Sequence, residues 1–309
     1  MDENKRGQPA LDLSQMEEET FFSSKAESFW GLVWKRFRKH KLAIFGSTVM
    51  LLMMIVTVFA NIIAPYPPEE MHLEAIINGN PLPPSSTYFF GTDGLGRDYL
   101  SRCIYGGRAS LMVGFGAMAI SLAIGIPLGC IAGYYGGWFD MVICRLIDIL
   151  NCVPTFFLLL IANAMLRPNL TNVMIVLGVF GWMGIARQIR AQFLSLRSQE
   201  FVQAAVSLGL KDRAITFRHL LPNALMPVVV SATMGVAGNI MAESGLSYLG
   251  LGVQEPAASW GSMLKLAQPF LRTAPWLGIF PGLLISIVAL ALNFMGDGLR
   301  DALDPRTTK

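Results

Sequence analysis

Of 309 residues, 53% are hydrophobic and only 15% are charged, and the mean hydropathy is +0.49. So little polar surface excludes a soluble globular domain, the net charge is +3, and no nucleic-acid partner is expected. The chain reads as an all-α integral membrane protein.

Residues 1–28 carry Glu17-Glu18-Glu19 and few large apolar groups, and read as a mobile cytoplasmic tail. Phe29, Trp30, Val33, Trp34 and Phe37 then fall at helical spacing among Lys35, Arg36, Arg38 and Lys39. That is the pattern of a basic amphipathic helix on the inner leaflet, or of a plain topology signal. Uncharged apolar runs follow at 42–64, 111–135, 149–165, 173–186, 223–242 and 274–296. A helix needs about 20 residues to cross the hydrocarbon, so six transmembrane helices are predicted. The short fourth one extends to Arg187 or Arg190, whose side chains reach the interface. Fifteen Lys and Arg lie on the side of the N-terminus against six on the other, which predicts both termini in the cytoplasm. The first run is too long, and too far from the N-terminus, for a signal peptide, and is expected to be retained. The organisation is then a cytoplasmic tail with its amphipathic helix over 1–41, a first span over 42–64 and an extracytoplasmic loop over 65–110. A core of five spans covers 111–297 with a cytoplasmic loop at 199–222, and a cytoplasmic tail closes the chain over 298–309.

The 65–110 loop opens with Pro65, Pro67 and Pro68, a density that argues against a long helix. It continues through Phe90-Gly91-Thr92-Asp93, Gly96-Arg97-Asp98 and Ser101-Arg102, whose charges either satisfy one another in a turn or meet solute. In the second span Ala117, Ser121, Gly125, Gly129, Gly133 and Gly137 recur every fourth residue. Such a small-residue face lets helix backbones approach in lipid. Pro127 within it would loosen the helix. Near the inner end of the third span, Arg145 and Asp148 are expected to pair with each other or to snorkel.

The loop between the fourth and fifth spans contains Gln203-Ala204-Ala205, three residues, Gly209, nine residues, then His219-Leu220-Leu221-Pro222. Phe201, Ala205 and Leu208 recur at helical spacing before Gly209, as do Leu210, Ala214, Phe217 and Leu221 after it, so two short amphipathic helices are predicted. Glycine between them takes the left-handed conformation that ends a helix, Pro222 marks a new helical start, and Ala204-Ala205 leaves room for another surface. The alternative is an ordinary basic loop. In the fifth span Ser231, Gly235, Gly238, Ala242 and Gly245 form a second small-residue face beside Asn239 and Glu243. Glu243 lies about 30 Å above Pro222 at the rise of a regular helix. It either lines a solute path together with Asn239 or sits hydrated at the interface. The apolar Gln254–Arg272 loop reads as a partly re-entrant helix at an outer gate.

The 203–222 pattern resembles the Glu-Ala-Ala signature loop of ABC importer permeases in every spacing, with Gln203 where that family usually has Glu and His219 where Ile is commonest. The Phe90–Asp98 and Ser101-Arg102 run, Trp260-Gly261-Ser262-Met263-Leu264 and Gly296-Asp297-Gly298-Leu299-Arg300-Asp301 are similar to the C-type permease of dipeptide and oligopeptide importers, a branch close to nickel and glutathione systems. The resemblance implies a type I ABC importer permease fold in a bacterial inner membrane. It also implies a second homologous permease, two cytoplasmic ATPase subunits and an extracytoplasmic solute-binding protein. Gln203, Ala204, Ala205, Gly209, His219, Leu221 and Pro222 would belong to the ATPase-coupling loop, and losing the family's Glu removes a charge that could pair with a basic group on the motor. ATP binding would pull this loop inward and open the outer mouth, and hydrolysis would reset it.

No Gly-x4-Gly-Lys-Ser/Thr run occurs, Gly94-Leu95-Gly96 does not complete a dinucleotide fingerprint, and His40, His72 and His219 stand apart. No catalytic residue, cofactor or metal is expected, and energy must come from a partner. An ion-coupled carrier using Glu243, Asp148 and Asp297 is the other transport reading; an intramembrane hydrolase would need a His within a span.

Overall fold

The computed structural model describes residues 29–303 apart from Leu73, Ala75, Asn78, Gly79 and Arg167. The expected tail over 1–28 and the last residues of the chain, with Arg306 and Lys309, lie outside them. Helix α1 spans Phe29–Phe37, α2 Lys41–Val58 and α3 Ala60–Ile63. A short hairpin of β1 (Ile76–Ile77) and β2 (Asn80–Pro81) lies in the proline-rich loop. Next come α4 (Tyr99–Tyr135), α5 (Gly137–Asn151), α6 (Thr155–Met165) and α7 (Leu170–Arg197). The chain continues through α8 (Glu200–Ser207), α9 (Asp212–Ala214), a π-helical turn over Ile215–Leu220, α10 (Leu221–Tyr248), α11 (Trp260–Ala267) and α12 (Trp276–Leu303).

Helix α4 begins at Tyr99, well before the expected Leu111, because the Asp98 carboxylate accepts from the Ser101 backbone N–H at 2.7 Å and caps it. Arg102 and Arg108 are therefore helical. The predicted small-residue face is the seam with α7. A Cβ on Gly125 would lie 2.8 Å from the Trp182 carbonyl, one on Gly129 2.7 Å from that of Ala186, and one on Gly133 3.0 Å from that of Arg190. Gly178 closes on Ile120 in return, and the Ser121 hydroxyl donates to the Gly178 carbonyl at 3.0 Å. Gly137 falls outside the seam and starts α5 with a φ of +54°. Pro127 does not break α4. The second small-residue face is closely packed only in part: a Cβ on Gly235 of α10 would meet the Met118 side chain of α4, whereas Gly238 has open space.

The contacts advance together along α4 and α7, so the two helices run in the same direction. The chain between them must return the full distance, and α5 and α6 do so with an 81° bend. Ile147 of α5 packs on Trp182, Met183 and Ala186, and Leu159 of α6 packs on Val173 and Leu177, in antiparallel order. The predicted third span is thus one traversal broken at Cys152–Pro154, making six among the described residues with the five long apolar helices. Asp148 pairs with Arg187 of α7 at 2.7 Å rather than with Arg145, which is exposed. Asp140 of α5 is held in the same way by Arg190, whose Nη2 donates to it at 2.7 Å.

Helix α1 does not rest on lipid alone. Val33 and Phe37 are buried against Ala43 and Ala302, so its apolar face is spent on the end of α12, while Trp34 points outward. Loop Gln254–Arg272 contains a helix as expected: α11 carries a fully buried Trp260 and starts with a reciprocal Ser259/Ser262 capping box.

Candidate functional site

Gly209 closes α8 with a φ of +74°, and the Gly209 and Leu210 N–H groups donate back to Val206 and Ala205 carbonyls at 2.9 and 3.3 Å. The predicted pair of short helices becomes one short helix and one long one. From Asp212 the chain winds through the π-turn directly into α10, and Pro222 sits in the first turn of α10 without interrupting it. Pro222 lacks only a donor that the wide turn leaves unused.

Burial divides the expected apolar stripes. Val202 and Ala205 of α8 join Ile215 and Leu220 in a core with Ile189 and Phe193 of α7. Phe201, Leu208 and Phe217 face outward, Leu208 at 81% exposure. Of the signature residues, Gln203 and Ala204 are exposed, and Ala205 turns inward and offers no surface to a partner. Gln203 reaches only the Ser198 carbonyl at 3.4 Å. The His219 backbone carbonyl accepts from the Asn223 side chain at 2.7 Å, and Leu221 is half-buried. The turn thus has a fixed inner face and an apolar outer face that the described residues do not cover.

Sequence spacing did not reveal the contacts of Tyr134, which tie the turn to α4 and the end of α7 to α4. The Tyr134 hydroxyl at the end of α4 donates to Asp212 at 2.8 Å, and Arg197 donates to the Tyr134 carbonyl at 3.1 Å. Partners this far apart in the chain leave no periodic signal. Tyr134 stood only as the edge of an apolar run.

At the other end of the bundle, Arg97 and Arg102, both buried, share two carboxylates. Arg97 bonds Asp93 at 2.7 Å and Glu255 at 2.5 Å, and Arg102 bonds Glu255 at 2.8 Å and the Pro68 carbonyl at 3.3 Å. Burial works against the Arg97 charge, but its bonds to Glu255 and Asp93 outweigh that and hold it above the usual arginine range. The self-satisfied turn is what forms, joined by a fourth member, Glu255, that only the fold brings in. Asn239 donates to the Gly114 carbonyl at 3.3 Å. Glu243 is fully enclosed, bonded to Ser110 and Ser247, so within this chain it neither lines an open path nor is hydrated. Asn239 and Glu243 are therefore packed into one wall of the bundle. Among the described residues no group of His, Cys, Asp and Glu is arranged to hold a metal ion.

Residues 125–309 match the family described as binding-protein-dependent transport system inner membrane component, and residues 28–84 match the N-terminal TM domain of oligopeptide transport permease C. The chain is 41% identical to the dipeptide transport system permease protein DppC of Alkalihalophilus pseudofirmus, over 91% of each chain. It is 39% identical to the oligopeptide transport system permease protein OppC of Bacillus subtilis, over 93% of each, and 40% identical to the glutathione transport system permease protein GsiD of Escherichia coli, over 90% of each. A chain of the MetNI methionine ABC transporter in its inward-facing conformations superposes with a TM-score of 0.53 at 21% identity, over 66% of this chain and 96% of that one, which identifies the fold. With a six-traversal bundle, a turn at Gly209 that exposes apolar side chains and these matches, the chain belongs to the binding-protein-dependent transport system inner membrane components, the multi-pass permease subunits of ABC importers, which are not themselves catalysts.

Proposed function

We propose that this permease carries dipeptides or oligopeptides inward, working with a second homologous permease, two cytoplasmic ATPase subunits and an extracytoplasmic solute-binding protein. Both termini and the 199–222 loop face the cytoplasm in this reading. Gln203, Ala204, Gly209, His219, Leu221 and Pro222 belong to the docking elbow, and Ala205 supports it from behind. The observation that carries the reading is the apolar outer face of Phe201, Leu208 and Phe217 on an element whose inner face is anchored to α7. Apolar area left uncovered at a membrane edge favours a protein partner. The peptide assignment draws on the dipeptide and oligopeptide relatives. A second reading, glutathione, has nearly equal support in the 40% identity to the Escherichia coli protein. Asn239 and Glu243 act in the wall of the path, not as solute ligands.

The test is to co-express the chain with the candidate ATPases, purify it from membranes and introduce Leu208→Cys. Cross-linking of the introduced thiol to the ATPase, with uptake of labelled peptide but not glutathione into energised vesicles, is the expected result. Unaided uptake by the purified chain, or labelling of that thiol from outside the cell, would overturn the reading.

A further inference from the structure

We infer that Glu243 is a positioning residue for transport: its carboxyl group latches α11 onto α4 and α10, and so holds shut the end of the bundle opposite the Gly209 turn. This rests on the function proposed above.

Three elements meet at this side chain. Its oxygens accept from the Ser110 hydroxyl of α4 at 3.0 Å and from the Ser247 hydroxyl of α10 at 2.6 Å. Each hydroxyl is in turn an acceptor for the segment around α11. Ser110 receives the Trp260 N–H at 3.3 Å, and Ser247 receives the Val253 N–H at 3.1 Å and the Ser259 hydroxyl at 3.4 Å. These three contacts from the α11 segment to the wall therefore drain through Ser110 or Ser247 into Glu243. Among the described residues no cation pairs with it, so the hydroxyls are its whole compensation. A carboxyl group buried with such partners is stable only while they stay in place.

The surrounding packing shows that α11 is seated, not merely adjacent. A Cβ on Gly107 would lie 2.8 Å from the Trp260 ring and 2.9 Å from Thr57, and one on Gly106 3.3 Å from the Ser259 backbone. From the other side a Cβ on Gly261 would lie 2.5 Å from the Ser244 Cα, and one on Gly252 2.6 Å from that of Ser247. If α11 lifts, Val253, Ser259 and Trp260 leave together and Glu243 must be hydrated instead. The residue thus contributes different free energies to the shut and open states, which is what a ligand or motor needs in order to shift one against the other.

The amide of Glu243→Gln cannot reproduce both contacts. Ser247 already accepts twice and has no lone pair left for an N–H donor, and an N–H turned toward Ser110 displaces the proton that Ser110 now donates.

Cys103 reports on the latch. It is 2% exposed, and its carbonyl accepts the Trp260 indole N–H at 3.0 Å. With Cys130, Cys144 and Cys152 replaced by alanine in the full-length membrane-embedded chain, Glu243→Gln should raise Cys103 labelling by an impermeant maleimide about tenfold, the population change expected from losing one buried hydrogen bond. Ser110→Ala and Ser247→Ala should act in the same direction. Ser244→Ala should not, its hydroxyl standing at 3.5 Å. A chain retaining only Cys130 should label at its usual rate. Labelling of Cys103 at the unsubstituted rate, or equal acceleration of Cys130, overturns the latch. Should Glu243→Gln fail to reach the membrane, Ser110→Ala decides on the same readout.

In the assembled transporter, Glu243→Gln should raise ATP hydrolysis without binding protein several-fold while co-purification and the maximal stimulated rate hold. A merely destabilised permease would lower all three, and that result also overturns the proposal. If the unsubstituted chain retains no ATPase, the transport reading fails while thiol labelling still tests the latch.

Discussion

Replacing Gly209 by valine separates two ways in which the elbow could depend on glycine. Its φ is +74°, and a Cβ built there meets nothing within 4 Å, so space within the chain is free and only backbone conformation is at stake. An L residue in the left-handed region costs roughly 1–2 kcal/mol, with β-branched side chains at the upper end. Every 1.4 kcal/mol is about tenfold in an equilibrium, so Gly209→Val should weaken ATPase association by about 5- to 30-fold. Asparagine visits that region with less strain, so Gly209→Asn should stay within a few-fold of the parent chain. The assay is titration of the ATPase subunits onto the permease in lipid nanodiscs, with membrane insertion checked separately. Equal loss in both variants would mean that side-chain bulk, not backbone strain, is resisted at a covered surface. No loss with valine would remove the elbow from the coupling path.

Tyr134→Phe deletes the bond to Asp212 and should reduce ATPase coupling by about 1 kcal/mol; Asp212→Ala should match it, and the double variant should be no worse than the worse single, as a double-mutant cycle would show. Gly129→Val drives a side chain into the Ala186 carbonyl and should destabilise the α4–α7 seam by about 1–3 kcal/mol, whereas Gly184→Ala, which meets open space, should leave the detergent unfolding midpoint unchanged. Arg102→Ala leaves Asp93 and Glu255 with Arg97 as their shared cation and removes the charged bond to Glu255, and should destabilise by about 1.5–3 kcal/mol. Glu255→Ala removes a 40% exposed partner that water can partly replace, so its smaller shift in the same unfolding assay checks the assignment.

The parts of this fold that repeat at a helical period were legible from residues alone. The α4 seam follows from small residues every fourth position, and the end of α8 follows from Gly209, because one residue type satisfies each need. The beginning of α4 was misplaced because Arg102 and Arg108 read as loop charges; only Asp93 and Glu255, brought in by tertiary contact, make a buried guanidinium tolerable there. The turn at Gly209 forms where the spacing puts it, but Ala205, read as room for another surface, turns inward. The spacing of Phe201, Ala205 and Leu208 identifies a stripe without saying whether this chain or another covers it. Glu243 marks itself as exceptional, since an ionisable group in an apolar helix demands an account, but while Ser247 is one turn away on the same helix, Ser110 lies 133 residues off and leaves no spacing to read.

The bend between α5 and α6 sets a parity. Because α4 and α7 run side by side in one direction, everything from α7 onward has its direction assigned by a single return step that is kinked and carries Asp140, Arg145 and Asp148 in its first half. Excising α6 would leave that step too short to climb the bilayer. Each later helix would then be inserted upside down, and the Gly209 elbow would be delivered to the opposite face of the membrane. The weakest-looking segment of the bundle is therefore the one that decides which way up the rest is built.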